Sequence, residues 1–261
     1  MPNLALITGA SAGIGKEFAR LHAAKGGDLA ITARREDELK ALKDELEKGH
    51  GITVHVFPHD LSGHAEAKAL YEKVTTAGLT PDILINNAGF GGGGKHLARD
   101  IGTEMGMIDL NVKALVTLTW LVAKDMVTRG SGRILNVGST AGFVPGPGQA
   151  VYFATKAFVN SYSQALAQEL RDTGVTVTAL APGYVETEFA DRADLRDTQM
   201  VKQGGASPLS VAQHGYDAMM KGDLITINER KLSILLKRIV PFVPRKTLLK
   251  MVAAGQKKRG S

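Results

Sequence analysis

The chain has 261 residues and no cysteine, which excludes disulfides, thiolate nucleophiles and metal sites ligated by cysteine. Its length and its 44% hydrophobic content suit one α/β domain with a sizeable core. The formal net charge of +6 lies mainly after Lys231, so it indicates a basic extension rather than a general nucleic-acid surface.

The N-terminal and C-terminal segments of the chain lead to separate predictions. The apolar run at residues 4–8 has no positively charged lead and soon reaches a glycine-rich turn, so we interpret it as a strand and not as a signal peptide. We expect no apolar stretch that approaches the roughly 20 residues of a membrane-spanning helix, and we expect a soluble, cytoplasmic protein. The basic residues after Lys231 are interpreted as a solvated helix face, with an anionic membrane surface or an acidic carrier protein as alternatives.

Short β-rich runs alternate with helical patterns along most of the chain. This βαβ series predicts one α/β domain over residues 1–261 with a Rossmann-like, doubly wound, mostly parallel seven-stranded sheet covered by helices on both faces. The predicted strands are 4–8, 28–33, 53–58, 83–86, 132–138, 175–181 and 224–227, and the predicted helices are 13–25, 35–48, 65–77, 101–128 and 151–171. Residues 186–208 are predicted to form a substrate lid, and residues 229–261 a basic amphipathic extension.

A glycine-rich turn, Thr8 to Gly15, joins the first strand to the first helix. The spacing G-x-x-x-G-x-G lets the backbone turn sharply and lets N–H groups and the helix N-terminus approach a pyrophosphate. The turn therefore predicts a dinucleotide site formed by Gly9, Ser11, Gly13, Ile14 and Gly15.

The second strand ends in Ala33-Arg34-Arg35, where a carboxylate would favour NAD. Guanidinium groups suit a phosphate, so Arg34, assisted by Arg35, predicts a preference for NADPH. The alternative is a solvated helix start.

The glycine cluster at 89–94 follows the fourth strand and has two compatible interpretations. Gly89 can lie close to a cofactor ribose because it has no Cβ, while the later glycines form a mobile loop.

Tyr152 and Lys156 lie four residues apart on a predicted helix, so the phenol and the ammonium share one face. Ser139 ends the preceding strand, and Asn111 lies in the long helical region. Each residue alone is ordinary: a half-buried tyrosine, a surface lysine, a strand-end hydroxyl and a helix amide. Their order and placement together predict a carbonyl-reducing site.

The combined motifs resemble the short-chain dehydrogenases/reductases over about the first 190 residues. The matching positions are Thr8 to Gly15, Asn86-Asn87-Ala88-Gly89, Asn111, Ser139, Tyr152, Lys156 and Pro182-Gly183.

The resemblance implies a role for each of the four catalytic positions. Tyr152 is the general acid, with its pKa lowered by the ammonium of Lys156, which also binds the nicotinamide ribose. Ser139 binds the substrate carbonyl, and Asn111 holds a water that links Lys156 to solvent.

The resemblance also implies further contacts with NADP(H). Asp60 and Leu61 flank the adenine, although Asp60 could instead be a helix N-cap. The remaining cofactor-binding positions line the ribose or contact the nicotinamide: Asn87, Ala88, Gly89, Pro182, Gly183, Val185 and Thr187. No metal site is predicted.

The substrate pocket is predicted to be largely apolar. Its residues besides Ser139 and Tyr152 are Ala141, Phe143, Val144 and Gln149, with Tyr184, Phe189 and Met200 from the lid. This composition favours a hydrophobic ketone, aldehyde or ketoester. Arg192, Arg196 and Lys202 could bind an acidic substrate group.

The predicted function is an NADPH-dependent carbonyl reductase. A 3-oxoacyl thioester reductase of lipid synthesis and a non-catalytic NADPH-binding protein are the alternatives. By resemblance the protein is a dimer or tetramer, and the amphipathic C-terminal segments dock on their own domain or on a sister subunit, with an anionic bilayer as the alternative.

Overall fold

Seven parallel strands form one sheet in the order β3-β2-β1-β4-β5-β6-β7. The computed structural model describes residues 4–195, 198, 201 and 204–256. The strands are β1 (Leu4–Thr8), β2 (Asp28–Ala33), β3 (Val54–Pro58), β4 (Ile83–Asn86), β5 (Gly132–Val137), β6 (Val175–Leu180) and β7 (Ile225–Thr226). Every pairing between neighbours is parallel. The predicted seven-stranded, doubly wound sheet is confirmed.

Helices connect the strands and cover both faces of the sheet. They are α1 (Gly13–Ala23), α2 (Glu36–His50), α3 (His64–Thr76), α4 (Ile101–Ile108), α5 (Leu115–Arg129), α6 (Ala150–Glu169), α7 (Phe189–Arg192), α8 (Pro208–Lys221), α9 (Arg230–Ile234) and α10 (Arg245–Gly255).

Alternate residues of β1 belong to two separate cores. Ala5 and Ile7 pack among residues of α1, α2 and α8, whereas Leu4 and Leu6 pack among residues of α3 and α5. Successive side chains of a strand point to opposite faces, so a strand buried on both sides is continuously apolar. This explains why Leu4–Thr8 lacks the alternation of a half-exposed strand.

The strand order reverses at β1, which lies between β2 and β4. The connections after these strands leave in opposite directions and open a crevice at the carboxyl ends. The glycine-rich turn, Arg34-Arg35 and Asn87-Ala88-Gly89 follow β1, β2 and β4, while Ser139 and Pro182-Gly183 follow β5 and β6. The topology therefore brings these motifs to one edge of the sheet.

The helical run Ile101–Arg129 corrects one prediction. Among the described residues it is long and apolar enough to cross a membrane by length and composition, with a mean hydropathy of 1.4, so the prediction that no stretch reaches such a length is wrong. Leu118, Val122 and Met126 nevertheless pack in the core beneath the sheet. This part of the run is therefore a core helix of the domain.

The C-terminal extension packs on its own domain. Leu236 belongs to a small cluster with Ala181 and Ile227, and Leu248 of α10 is also buried. The packing brings the end of α10 back to the start of α6, where Gln256 bonds Gln149.

Candidate active site

A cavity of about 870 Å³ opens at the carboxyl ends of the strands. It extends from the glycine-rich turn to the start of α6 and then to the C-terminal extension. Its length brings the predicted cofactor residues and the predicted catalytic residues into one continuous space.

The turn before α1 has no room for side chains at two of its glycines. Gly9 has a φ of +69°, and a Cβ there would lie 2.9 Å from Asn87 Nδ2. A Cβ on Gly15 would overlap the carbonyl oxygen of Gly9. The amide of Asn87 fixes the turn by donating to the carbonyl oxygens of Thr8 and Gly9 at 3.0 and 3.3 Å.

Helix α1 offers uncapped N–H groups to the cavity. Its N-cap is Ala12, in extended conformation, and alanine has no side-chain acceptor for the first turn. Ala12, Gly13 and Ile14 all line the cavity. Free N–H groups at a helix N-terminus suit an anion, so this end fits a pyrophosphate.

Two guanidinium groups flank the same end of the cavity. Arg35 Nε lies 3.3 Å from Ser11 Oγ, and its Nη1 lies 3.2 Å from the carboxylate of Glu188. Arg34 is exposed and makes no hydrogen bond or ion pair within the described part of the chain. The Arg35 guanidinium lowers the pKa of Glu188, and Arg192, 2.5 Å from Glu188, acts in the same direction.

Asp60 and Leu61 follow β3 and line the cavity. Asp60 accepts a hydrogen bond of 2.7 Å from Ser62 Oγ, and helix α3 begins after Gly63. The alternative interpretation of Asp60 as a helix N-cap is therefore wrong.

The glycines after Gly89 are held by close packing. A Cβ on Gly91 would lie 2.6 Å from Phe189 Cζ and 3.1 Å from Tyr152, and a Cβ on Gly93 would lie 3.0 Å from the carbonyl oxygen of Ala193. These glycines let the loop approach Phe189, Ala193 and Tyr152 closely. Their predicted role in a mobile loop stays a prediction.

Arg99 holds the same loop from its other side. It donates to the carbonyl oxygen of Gly93 at 2.5 Å and pairs with the buried carboxylate of Glu104. Arg99 lines the cavity, although no motif identified it from the sequence.

Ser139, Tyr152 and Lys156 meet at the centre of the cavity. Ser139 lies near enough to the phenol of Tyr152 to act on its pKa, and its Oγ accepts from the N–H of Ala141 at 3.1 Å. Lys156 Nζ lies 5.9 Å from the centroid of the Tyr152 ring and donates to the carbonyl oxygen of Val137 at 2.8 Å. The backbone of β5 thus orients the ammonium.

The pKa shift of Tyr152 is opposite to the predicted one. Burial raises the pKa of Tyr152 to about 12, although the hydrogen bond from Ser139 acts in the opposite direction. Burial also lowers the pKa of Lys156 to about 8. The predicted lowering of the phenol pKa by Lys156 is therefore wrong for this structure, because loss of hydration dominates both groups.

Asn111 lies in a π-helical turn, Asp109–Ala114, between α4 and α5. Its Oδ1 accepts from the N–H of Phe90 at 3.1 Å, and its Nδ2 donates to the carbonyl oxygen of Phe90 and to Thr155 Oγ1. Such turns often occur at functional sites because they redirect a side chain. Here the redirected amide ties the loop after β4 to α6.

The segment after β6 returns over the glycine-rich turn. Pro182 accepts hydrogen bonds from the backbone and the side chain of Thr140 at 2.9 and 3.2 Å. Thr187 approaches the glycine turn so closely that a Cβ on Gly13 would lie 3.0 Å from its methyl group. The neighbouring positions that are predicted to bind the cofactor also line the cavity: Gly183 and Val185, together with Asn87, Ala88 and Gly89.

The predicted substrate wall is present except at Phe143. Ala141, Val144, Gln149, Tyr184 and Phe189 line the cavity. Within the described residues Phe143 packs instead against the cluster of Ala181, Ile227 and Leu236, so its predicted place in the wall is wrong. Arg192 lines the cavity, whereas Met200, Arg196 and Lys202 lie outside the described residues.

The C-terminal extension supplies a wall that the sequence did not indicate. Its cavity-lining residues are Leu232, Leu236, Val252, Gly255 and Gln256. Amphipathic spacing indicated that this segment docks on a surface, but it could not indicate which one. The contact of Gln256 with Gln149 spans 107 residues of sequence.

Comparison with known proteins gives a consistent set of relatives. Residues 3–198 match the family model described as short chain dehydrogenase. The NADP-dependent 3-hydroxy acid dehydrogenase YdfG of Escherichia coli (strain K12) is 39% identical over 191 residues, which are 72% of this chain and 75% of that protein.

Two solved structures share the fold over nearly the whole chain. A short-chain dehydrogenase from Sphingobium yanoikuyae in complex with NADPH has a TM-score of 0.83 and 31% identity, and the match covers 99% of this chain and 100% of that chain. The bulky-bulky ketone specific alcohol dehydrogenase from Comamonas testosteroni has a TM-score of 0.76 and 28% identity, covering 94% and 96%.

Proposed function

Because the chain belongs to the short-chain dehydrogenase/reductase family, we propose that it is an NADPH-dependent carbonyl reductase that converts a ketone or aldehyde reversibly to an alcohol. The observation that carries the proposal is the meeting of Ser139, Tyr152 and Lys156 in the cavity that also contains the glycine-rich turn. A protein that only binds a dinucleotide has no need of an acid at that place.

The cofactor is NADP(H), as in the relatives named above. The residues fit it, since the glycine-rich turn has no room for side chains and α1 presents uncapped N–H groups for a pyrophosphate. Arg34 and Arg35, with Ser11, would hold the 2′-phosphate, and bound NADPH would supply the hydride.

Tyr152 donates the proton in this proposal. A phenol whose pKa is about 12 is fully protonated at neutral pH and is ready to give its proton to the carbonyl oxygen. Ser139, which lines the same cavity, would donate to the same oxygen and stabilise the negative charge that develops on it.

Lys156 and Asn111 position the acid and the cofactor. The ammonium of Lys156 is fixed on Val137 and stays close to Gly89, where it would bind the nicotinamide ribose. Asn111 would fix the loop that carries Phe90 and would leave the second lone pair of its Oδ1 for a water.

The lining supports a hydrophobic carbonyl compound. Val144, Phe189, Leu232 and Val252 surround the space beside Tyr152, and apolar walls favour a substrate with an aryl or alkyl group. The ketone specificity in the name of the Comamonas testosteroni relative supports the same class.

A second candidate substrate is a 3-oxoacyl thioester. The C-terminal extension carries seven Lys or Arg residues and no Asp or Glu between 230 and 256, which suits an acidic carrier protein. We also propose a dimer or tetramer in the cytoplasm, by analogy with the family.

The test is NADPH oxidation by the purified protein with aryl ketones, aliphatic ketones, aldehydes, β-ketoesters and a 3-oxoacyl thioester. We expect activity on free ketones and a preference for NADPH over NADH. Activity confined to the thioester would replace the proposal by its second candidate. Binding of NADPH without turnover of any carbonyl would contradict both and favour a binding protein.

A further inference from the structure

Gln149 occupies an unusual place at the start of α6. It is the N-cap residue of that helix, yet its side chain makes no capping bond there. The side chain instead reaches the far end of the chain, where its Nε2 donates to Gln256 Oε1 at 2.6 Å. Gln149 is 3% exposed, and both glutamines line the cavity.

The carbonyl oxygen of the Gln149 side chain has no hydrogen-bond partner among the described residues. A buried acceptor without a partner costs free energy, because its bonds with water are lost and none replaces them. The bond with Gln256 occupies the amide nitrogen and turns the oxygen away from that partner. Gln149, a residue of the cavity wall, thus carries a fixed acceptor that no described residue uses.

Gln149 lies close in the chain to the proposed acid. It directly precedes α6, and Tyr152 follows three residues later in the first turn of that helix. Both residues line the same cavity, so a substrate carbonyl that receives a proton from Tyr152 would present its adjacent carbon to the wall that contains Gln149. Val144, Phe153 and Val252, which line the same cavity, are apolar, so a polar group entering here would depend on that oxygen.

We propose that Gln149 Oε1 accepts a hydrogen bond from a hydroxyl on the carbon next to the substrate carbonyl, and that Gln256 is a positioning residue that orients the Gln149 amide. The substrate class is then hydroxy ketones and hydroxy aldehydes, and the product is a vicinal diol. This inference rests on the proposed carbonyl reduction. Hydride from NADPH would go to the carbonyl carbon and the proton of Tyr152 to its oxygen, while the second hydroxyl stays unchanged.

Three ketones of similar size separate the hydrogen bond from other effects. 2-Hydroxyacetophenone can donate to Gln149, 2-methoxyacetophenone has a similar inductive effect but no donor, and propiophenone has neither. We expect kcat/KM with NADPH to be about 10-fold higher for the hydroxy ketone than for the methoxy ketone, since one buried hydrogen bond is at stake.

Variants assign that preference to the two amides. Gln149→Leu should reduce the hydroxy-to-methoxy ratio of kcat/KM to about 1. Gln256→Leu should lower the ratio mainly through KM of the hydroxy ketone. Gln256→Glu should keep it, because a carboxylate also accepts from Gln149 Nε2. Gln213→Leu, on the surface of α8, is the matched control and should change nothing.

Each contrary result has a distinct meaning. Equal rates for the three ketones in the wild-type protein would overturn the inference and leave the proposed reductase in place. A preference for both oxygenated ketones over propiophenone, lost in Gln149→Leu, would show that Gln149 presents a donor and would overturn the assigned acceptor. Failure to reduce any ketone would overturn the proposed function and the inference together. The wild-type ratios decide the matter even if Gln149→Leu does not fold.

Discussion

The cavity has a cofactor half, which we assign to NADP(H), and a substrate half, which we assign to the carbonyl compound. Different kinds of chain segment form the two halves. The cofactor half is made of short segments that directly follow β1, β2, β3 and β4, with part of the segment after β6, and glycines keep its first turn free of side chains. The substrate half joins α6 and the segment after β6 to the C-terminal extension, as the bond between Gln149 and Gln256 illustrates.

The difference lies in how much of each half depends on local geometry. Gly15 must be a glycine, because a Cβ there would overlap the carbonyl oxygen of Gly9. Any chain that forms this turn needs the same glycine, so the glycine spacing can be recognised in the sequence. A side chain such as Gln256 enters the site only because a distant helix folds back. We therefore expect substitutions in the cofactor half to affect all substrates, and those in the substrate half to affect the choice among them.

The largest expected effect is that of Tyr152→Phe, at the boundary of the two halves. Loss of the phenolic proton should lower kcat by about 10²- to 10⁴-fold while the Kd for NADPH changes little. Steady-state kinetics and fluorescence titration with NADPH measure the two quantities. Tyr162→Phe on the same helix, where Tyr162 stacks on Phe158, is the control. A Tyr152→Phe protein that kept most of its turnover would refute the assigned acid.

Removing either guanidinium should affect only the phosphorylated cofactor. Arg34→Ala and Arg35→Ala should each lower kcat/KM for NADPH by about 10- to 100-fold, because charge-assisted hydrogen bonds to the 2′-phosphate are lost. NADH is the internal control and should be used equally well by all variants. Arg171→Ala, at an exposed site away from the cavity, controls for loss of positive charge. An unchanged ratio of NADPH to NADH efficiency would contradict the assignment.

A smaller effect concerns the acid itself. Because burial raises the pKa of Tyr152 to about 12, the cofactor-free protein should form no phenolate at this residue below about pH 10. Absorbance at 295 nm, taken as the difference between wild type and Tyr152→Phe, reports that phenolate. A difference signal with a midpoint near neutral pH would show that Lys156 controls the phenol after all.

The smallest expected effect is that of a substitution at Glu188, in the predicted lid. Glu188 pairs with the guanidinium of Arg35, which we assign to the 2′-phosphate of NADPH. The carboxylate of Glu188 should therefore oppose binding of that phosphate. Glu188→Gln should lower the Kd for NADPH about threefold, as for an exposed ion pair, and leave that for NADH unchanged. Glu186→Gln nearby is the control. A higher Kd for NADPH would instead indicate that Glu188 closes over the bound cofactor.

Sequence patterns predicted the sheet and much of the lining of the cavity. Apolar runs buried on both faces, such as Leu4–Thr8, identified the strands, and their ends located Gly9, Ser139 and Tyr152 at one edge. Periodicity could not predict that the π-helical turn at Asn111 would tie Phe90 to α6, because one extra residue in a turn leaves the apolar pattern nearly unchanged.

The errors have a common physical origin in packing between distant segments. Phe143 was placed in the pocket because of its position between Ser139 and Tyr152, but its ring is taken up by the cluster around Ile227. The phenol pKa was predicted from the charge of Lys156, whereas the burial of both groups determines the direction. A local sequence motif predicts neither the burial of a side chain nor its packing against a distant segment.

The most direct test of the account is a single turnover with NADPH deuterated at the transferable position of the nicotinamide, using 2-hydroxyacetophenone and propiophenone as acceptors. The account predicts deuterium on the carbinol carbon of the alcohol product for the wild-type protein and a loss of that product in Tyr152→Phe. Bound NADPH that transfers no deuterium to either ketone would contradict the assignment of this cavity as a carbonyl-reducing site.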